Sequence, residues 1–301
     1  GPGIHNSLSF SNNSKGFYNY SLYLEENINV LKKTKFNFKY LLSSPFTNSN
    51  GQKYFLTSLK MKIINRNIEF GYSKDVLSGG YDQIEWRTEE AASVIFFNEN
   101  MKYWDYLNSF YINYFSKTNG LNLFFEIGSP NRSFGNKEPR NYFGHNIGSN
   151  FGMRKYGIFN HENLMLGFEY TRLVQSSYYN ILPSPNWYDN QKYNYSSFKG
   201  MRWTSHSGSD SDDLLFIIGF INNKWSFICG LNYERHGVTF HFPPEVKFEN
   251  SFTVSYRFRD IFISMNYENE FYEHYAFVDN NINVWEQSYE NGSLQRTKSL
   301  L

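Results

Sequence analysis

The residues best suited to chemistry crowd into one stretch, WTSHSGSDSDD, from Trp203 to Asp213. His206 lies beside Ser207 and Ser209, the residue types of a serine hydrolase. On an extended strand two side chains share a face only at spacing i, i+2, and the residue two after His206 is Gly208. No third group to orient the imidazole is identifiable. The spacing therefore argues against catalysis, and no catalytic residue is assigned. Asp210, Asp212 and Asp213 offer hard oxygen ligands but lack the spacing of a calcium loop, so a solvated acidic turn is expected. His145, His161, His241 and His274 are scattered and fit no metal spacing, and His5, flanked by Ile4 and Asn6, reads as a satisfied strand residue. Neither a metal nor a cofactor is expected. Glu234, Arg235 and His236 read as a paired set of charges near a strand end.

A second kind of chemistry, recognition of sugars, would suit the aromatic residues of the long polar segments. LPSPNWYDNQKYNYSSF places Trp187, Tyr188, Tyr193 and Tyr195 beside Asp189, Asn190 and Gln191. Such a mixture stacks on pyranose faces and hydrogen-bonds to hydroxyls. Trp187, deep in a long connection after two prolines, is expected to be exposed. Trp86 with Arg87 and Glu89 offers another such surface, and Arg202 with Trp203 a third, although Trp203 reads better as a ring at a membrane interface.

The elements that must position these residues are strands. In KFNFKYLL, Phe36, Phe38, Tyr40 and Leu42 fall on one face and Lys35, Asn37 and Lys39 on the other. The same alternation runs through WSFICGLNYE, with Trp225, Phe227, Cys229, Leu231 and Tyr233 on one side, and through FTVSYRFRD. Turn signals separate such runs at Asn65, Asn119, Asn222 and Arg259. Other connections are long, near 43–53, 77–102, 129–147 and 175–199. Only DQIEWRTEEAASVIFF suggests a helix, a short one capped near Asp82. Short turns alternating with long loops, joining strands of about ten residues, describe an antiparallel transmembrane β-barrel of the outer-membrane type, with about fourteen strands in this chain. Residues 1–290 are assigned to the barrel and 291–301 to a polar tail.

Composition supports strands in a membrane over a soluble sandwich. Aromatic residues make up 20% of the 301 and mean hydropathy is −0.59. A sandwich core would favour Val, Ile and Leu, whereas rings suit the two interfaces of a bilayer. Lys35, Lys39, Lys60, Lys62, Arg257 and Arg259, with Glu69, Glu126 and Glu234, would then line a wet lumen, and Cys229 would face lipid. A net charge of +1 offers no global field to recruit nucleic acid. No run approaches the roughly eighteen apolar residues of a membrane helix.

The opening GPGIHNSLSFSNN resembles a run of the Wzi-type capsule assembly proteins, carried here by Gly1, Pro2, Gly3, Ser7, Leu8, Ser11, Asn12 and Asn13. The resemblance continues through IEFGYSKDVLSGG (68–80), LGFEYTR (166–172) and the Tyr-rich segment 188–216, where His206, Gly208, Asp210 and Asp213 match the family's His, Gly and Asp pattern. It implies a barrel of roughly eighteen strands with a plugged lumen, retaining capsular polysaccharide at the bacterial outer membrane without enzymatic chemistry. On that reading Gly-Pro-Gly is native, the chain is the C-terminal portion of a longer barrel, and its open edges keep it from closing alone. The implied partners are capsular or exopolysaccharide, outer-membrane lipid and capsule-export machinery. The polysaccharide-binding residues are Trp187, Tyr188, Asp189, Asn190, Tyr193, Trp86 and Arg87. A porin-like or glycan-export channel is the alternative, and an outer-membrane esterase or deacylase a more distant one.

Overall fold

The structure is a computed structural model that describes residues 7–8, 18–28, 34–48, 50–80, 91–92, 95, 104–130, 147–173, 187, 197–198, 201–202, 204–238, 243–274 and 295–300. Alternating sequence becomes strand throughout. The first half comprises β1 (Asn19–Ile28), β2 (Thr34–Ser43), β3 (Phe46–Thr47), β4 (Lys53–Asn65), β5 (Ile68–Gly79), β6 (Trp104–Ser116), β7 (Leu121–Pro130) and β8 (Gly148–Ile158). The second comprises β9 (His161–Arg172), β10 (Ser197–Phe198), β11 (Met201–Arg202), β12 (Ser211–Ile221), β13 (Trp225–His236), β14 (Glu245–Phe258), β15 (Ile261–Glu273) and β16 (Gln295–Leu300). One antiparallel sheet of 14 strands runs in chain order from β1 to β16, with β3 paired on β4 and the β10–β11 hairpin set apart. Among the described residues β1 and β16 do not pair with each other, so the sheet has two edges. Residues 295–300, expected in a polar tail, instead pair with Tyr267–Tyr272. Backbone pairing at an edge needs no apolar face, which is why QRTKSL joins the sheet without an alternating signature.

The connections sort onto two ends. Tight turns join β4 to β5, β6 to β7, β8 to β9, β12 to β13 and β14 to β15, and the longer connections leave from the opposite end. At the β8–β9 turn Phe159 and Asn160 both take positive φ (52° and 60°), the backbone of a type I′ hairpin that matches strand twist. Arg259, expected to line the lumen, occupies the β14–β15 turn with φ 52° and lies over the Phe258 ring.

Burial is inverted relative to a soluble domain. On β13 the row Trp225, Phe227, Leu231 and Tyr233 is exposed, while Asn232 and Glu234 of the other row are 2% exposed. Register carries each row across the sheet. Glu126 faces Asn150 across β7–β8, Gly152 faces Glu169 across β8–β9, and Asp213 faces Glu234 across β12–β13. Outside, Phe125, Phe151, Phe216 and Phe252 present rings. Apolar out and polar in is the pattern of a barrel wall in lipid. Cys229 shares the outer row, as its neighbours predict.

At the long-connection end part of the outer face is covered. Ala91, Ala92 and Ile95 pack on Leu42, Phe55, Leu59 and Val76. The wall satisfies their backbone, since Thr57 Oγ1 donates to the Ala91 carbonyl (2.8 Å), Tyr40 Oη to that of Ala92 (2.7 Å) and Lys74 Nζ to that of Ile95 (3.0 Å). Ala91 and Ala92 have helical backbone but no helix is assigned among the described residues, and Asp82, with the rest of the segment expected to form one except Ile95, lies outside them.

Candidate functional site

The inner wall at the long-connection end gathers the polar residues that sequence singled out. Glu234 on β13 is the hub. His206, in the connection ahead of β12, has Nε2 3.2 Å from Glu234 Oε1, and His236 Nε2 lies 3.0 Å from Oε2. Lys247 on β14, directly opposite Glu234 in register, sits 3.7 Å from it and donates to Glu249 (2.7 Å) and Glu270 (2.9 Å). Asn232 Nδ2 adds a 2.6 Å bond to Glu234. Asp213 stands opposite Glu234 across β12–β13, a like-charge pair that the surrounding cations offset.

The motif residues before β12 hold this corner in shape. Gly208 and Asp210 both take positive φ (76° and 49°), turning the chain into the strand. Ser211 Oγ donates to the Gly208 carbonyl (2.9 Å), and the Asp210 carbonyl accepts Gly237 N–H (2.8 Å). Asp212 points to the outer face, where Arg235 donates to it from Nε (2.8 Å) and Nη2. The solvated acidic turn expected here is corrected, because Asp210, Asp212 and Asp213 are all buried. The reason is local. β12 begins at Ser211, so two of the aspartates become wall residues with partners on β13.

Desolvation against the wall would lower the pKa of His206, although about a third of its side chain (36%) stays exposed, but its hydrogen bond to Glu234 and that carboxylate's charge outweigh it and raise the pKa. Lys247 opposes and Asp213 assists. A histidine raised on docking holds its loop fully while pH is below the ordinary imidazole value of about 6.5, and that hold fades as pH climbs through the raised pKa. Amide exchange of residues 204–210, corrected for intrinsic rate, should accelerate as pH rises above about 6.5, and His206→Gln should flatten that profile. Equal protection across the range in both proteins would detach His206 from the wall.

Trp187 corrects another expectation. Instead of standing exposed in its loop it is 3% exposed and packs with Leu8, Leu107 and Leu173 on the lumen side. Gly148 of β8 makes the slot, since a Cβ there would lie 2.7 Å from the Trp187 ring. Leu8, from the opening motif, is fully buried, and its N–H donates to Glu126 (3.2 Å). Leu8 and Trp187, from two distant segments, thus pack together on the inner wall near this mouth. Of the other residues assigned to polysaccharide, Tyr188, Asp189, Asn190, Tyr193, Trp86 and Arg87 lie outside the described residues, as do Gly1, Pro2, Gly3, Asn12 and Asn13.

Sequence reasoning missed Lys247, Glu249 and Glu270. Their signal was present as KFE at 247–249 and ENE at 268–270, charged residues two apart on the face opposite Phe248 and Phe271. Ligand atoms of His206, Glu234 and Glu249, and of Glu249, Glu268 and Glu270, lie within 4.8 Å of one another. Among the described residues these are the groups that could hold a cation, and Lys247 supplies a positive charge among them.

The fold is similar to that of a solved outer membrane protein of Escherichia coli, Wzi, described as a carbohydrate-binding β-barrel involved in group 1 capsule assembly. The TM-score is 0.52 at 8% sequence identity, and the match covers 79% of this chain and 51% of that one. This chain thus spans about half the length of the protein it resembles. No family model matches the chain, and no curated protein does.

Proposed function

We propose that the protein is a Wzi-type outer-membrane barrel that retains capsular or other surface polysaccharide at the cell surface, acting by binding and without catalysis. The observation that carries this reading is the hydrogen-bonding inner wall at the mouth from which the long connections leave, built on an inverted sheet. In outer-membrane barrels such connections face outward and the short turns face the periplasm. Likeness of fold to a carbohydrate-binding barrel supports the choice of ligand. Tyr188, Asp189, Asn190 and Tyr193 belong in sequence to the β9–β12 connection and Trp86 and Arg87 to the β5–β6 connection, and these are the proposed polymer contacts. Trp187 acts as the buried anchor of its segment. Capsule-export machinery is the proposed protein partner. Each contact need only be weak, because a polymer repeats its epitope and many barrels engage it together.

The test is the ratio of cell-bound to released polysaccharide in a strain carrying the complete gene. Replacing Tyr188 and Tyr193 together by alanine should lower that ratio several-fold at unchanged surface level. An unchanged ratio would remove the β9–β12 connection from the binding surface. Ion conductance by the purified protein in planar bilayers, with the ratio unchanged, would instead support a channel.

A further inference from the structure

A cavity of about 260 Å³ opens on the lumen side of β2, β4 and β5, toward the short-turn end and away from the mouth. Its lining includes Tyr23, Asn37, Lys39, Lys60, Lys62 and Tyr111. Lys39 and Lys60 are directly opposed across β2–β4, and Asn37 opposes Lys62. Like charges in register destabilise a sheet unless something negative stands between them.

The carboxylates of this neighbourhood stand outside the lining. Glu69 takes Lys62 (3.5 Å) and the Tyr111 hydroxyl (2.6 Å), and Glu25 takes Lys35 (3.2 Å) and the Tyr23 hydroxyl (2.6 Å). Asp75 and Glu126 attract Lys60. Among the described residues Lys39 makes no ion pair. An independent observation concerns Asn37, which is 7% exposed and lines the cavity, yet has no hydrogen-bond partner for its side-chain oxygen. A buried acceptor without a donor is costly. The Tyr111 ring adds an apolar surface, lying over Gly71, where a Cβ would overlap it.

We propose that this cavity binds one carboxylate-bearing sugar residue. The carboxylate sits between Lys39 and Lys60, a ring hydroxyl donates to Asn37 Oδ1, and the ring lies against Tyr111. A simple anion would pair Lys39 and leave Asn37 without a donor, whereas a neutral sugar would supply the donor and leave Lys39 without an anion. The volume falls just below the roughly 300 Å³ at which small-molecule pockets begin, which suits a single ring rather than a polymer segment. The site goes beyond the retention reading and uses none of the mouth residues, so either can fail alone.

The experiment is calorimetric titration of the full chain, purified in detergent, with sodium glucuronate, glucose and inorganic phosphate in turn. Glucuronate should bind saturably, at least tenfold more tightly than glucose or phosphate, and more weakly as salt rises. Asn37→Asp keeps the shape of the side chain and supplies an internal carboxylate to the lysines, so it should fold normally while weakening glucuronate at least tenfold. Lys39→Gln should weaken it comparably. The proposal is overturned if glucose or phosphate binds as tightly as glucuronate, if no saturable binding is seen, or if Asn37→Asp binds as the parent does.

Discussion

Lys247→Met should be among the most damaging single substitutions in the protein. Its side chain is 7% exposed and its ammonium stands among Glu234, Glu249 and Glu270. Methionine keeps an unbranched side chain one atom shorter and removes the charged donor, leaving three carboxylates on adjacent strands without their common cation. Breaking a buried pair in this way costs about 3 to 5 kcal/mol, because the partner remains desolvated and uncompensated. Glu249→Gln should cost much less, since Lys247 keeps Glu270 and Glu234. Urea unfolding of the two variants in lipid vesicles separates the cases. A loss under about 1 kcal/mol for Lys247→Met, the range of solvated pairs, would show that water reaches this height of the lumen and screens the cluster.

Phe216→Arg should lower stability by about 2 to 4 kcal/mol, the cost of a cation on the lipid face at the midplane of a barrel. Phe216 lies midway along β12, on the outer face, with its ring 5.2 Å from that of Phe168 and 46% exposed. In a water-soluble sheet the same change at an exposed site would stay within about 0.5 kcal/mol. The substitution therefore gives outcomes that differ clearly in size for a membrane wall and a soluble one. Phe159→Arg, in the exposed β8–β9 turn, is the matched control and should cost about 0 to 1 kcal/mol, as expected near an interface. Equal unfolding midpoints for both variants would place the outer face in water.

Strand identity and facing were legible because period two survives in single sequences wherever one face is uniform. The rows of WSFICGLNYE separate in the structure as they do on paper, into exposed rings and buried Asn232 and Glu234. About fourteen strands were expected and the main sheet holds 14. What escaped was whatever depends on contact between distant segments. Nothing local to LPSPNWYDN announces that Gly148, 39 residues earlier, leaves room for the Trp187 ring. Asp210 to Asp213 read as a solvated turn because carboxylates in a row usually are. Only the register with β13 shows Asp212 meeting Arg235 and Asp213 meeting Glu234. Lys247 went unnoticed because one lysine in a strand carries no pattern, and its meaning comes from carboxylates on both neighbouring strands. β16 was invisible for the opposite reason, since an edge strand can be held by backbone alone.

The exposed row on β13 also sets a length. It begins at Trp225, whose ring stacks on Phe227 (5.6 Å between centroids) and meets Tyr256 (4.3 Å), and it ends at Tyr233, eight residues later. Eight steps at roughly 3.4 Å cover about 27 Å along the strand. A tilt of roughly 40° reduces this to about 20 Å along the membrane normal. Rings with polar edges belong at the two boundaries of the hydrocarbon, so on the proposed outer-membrane reading the protein carries its own gauge of bilayer thickness. That gauge is shorter than the hydrocarbon core of an average bilayer, about 30 Å, and it suits the thinner outer membrane. In a thicker bilayer Trp225 and Tyr233 would both be drawn below the headgroups, and lipid would have to thin around this side of the wall.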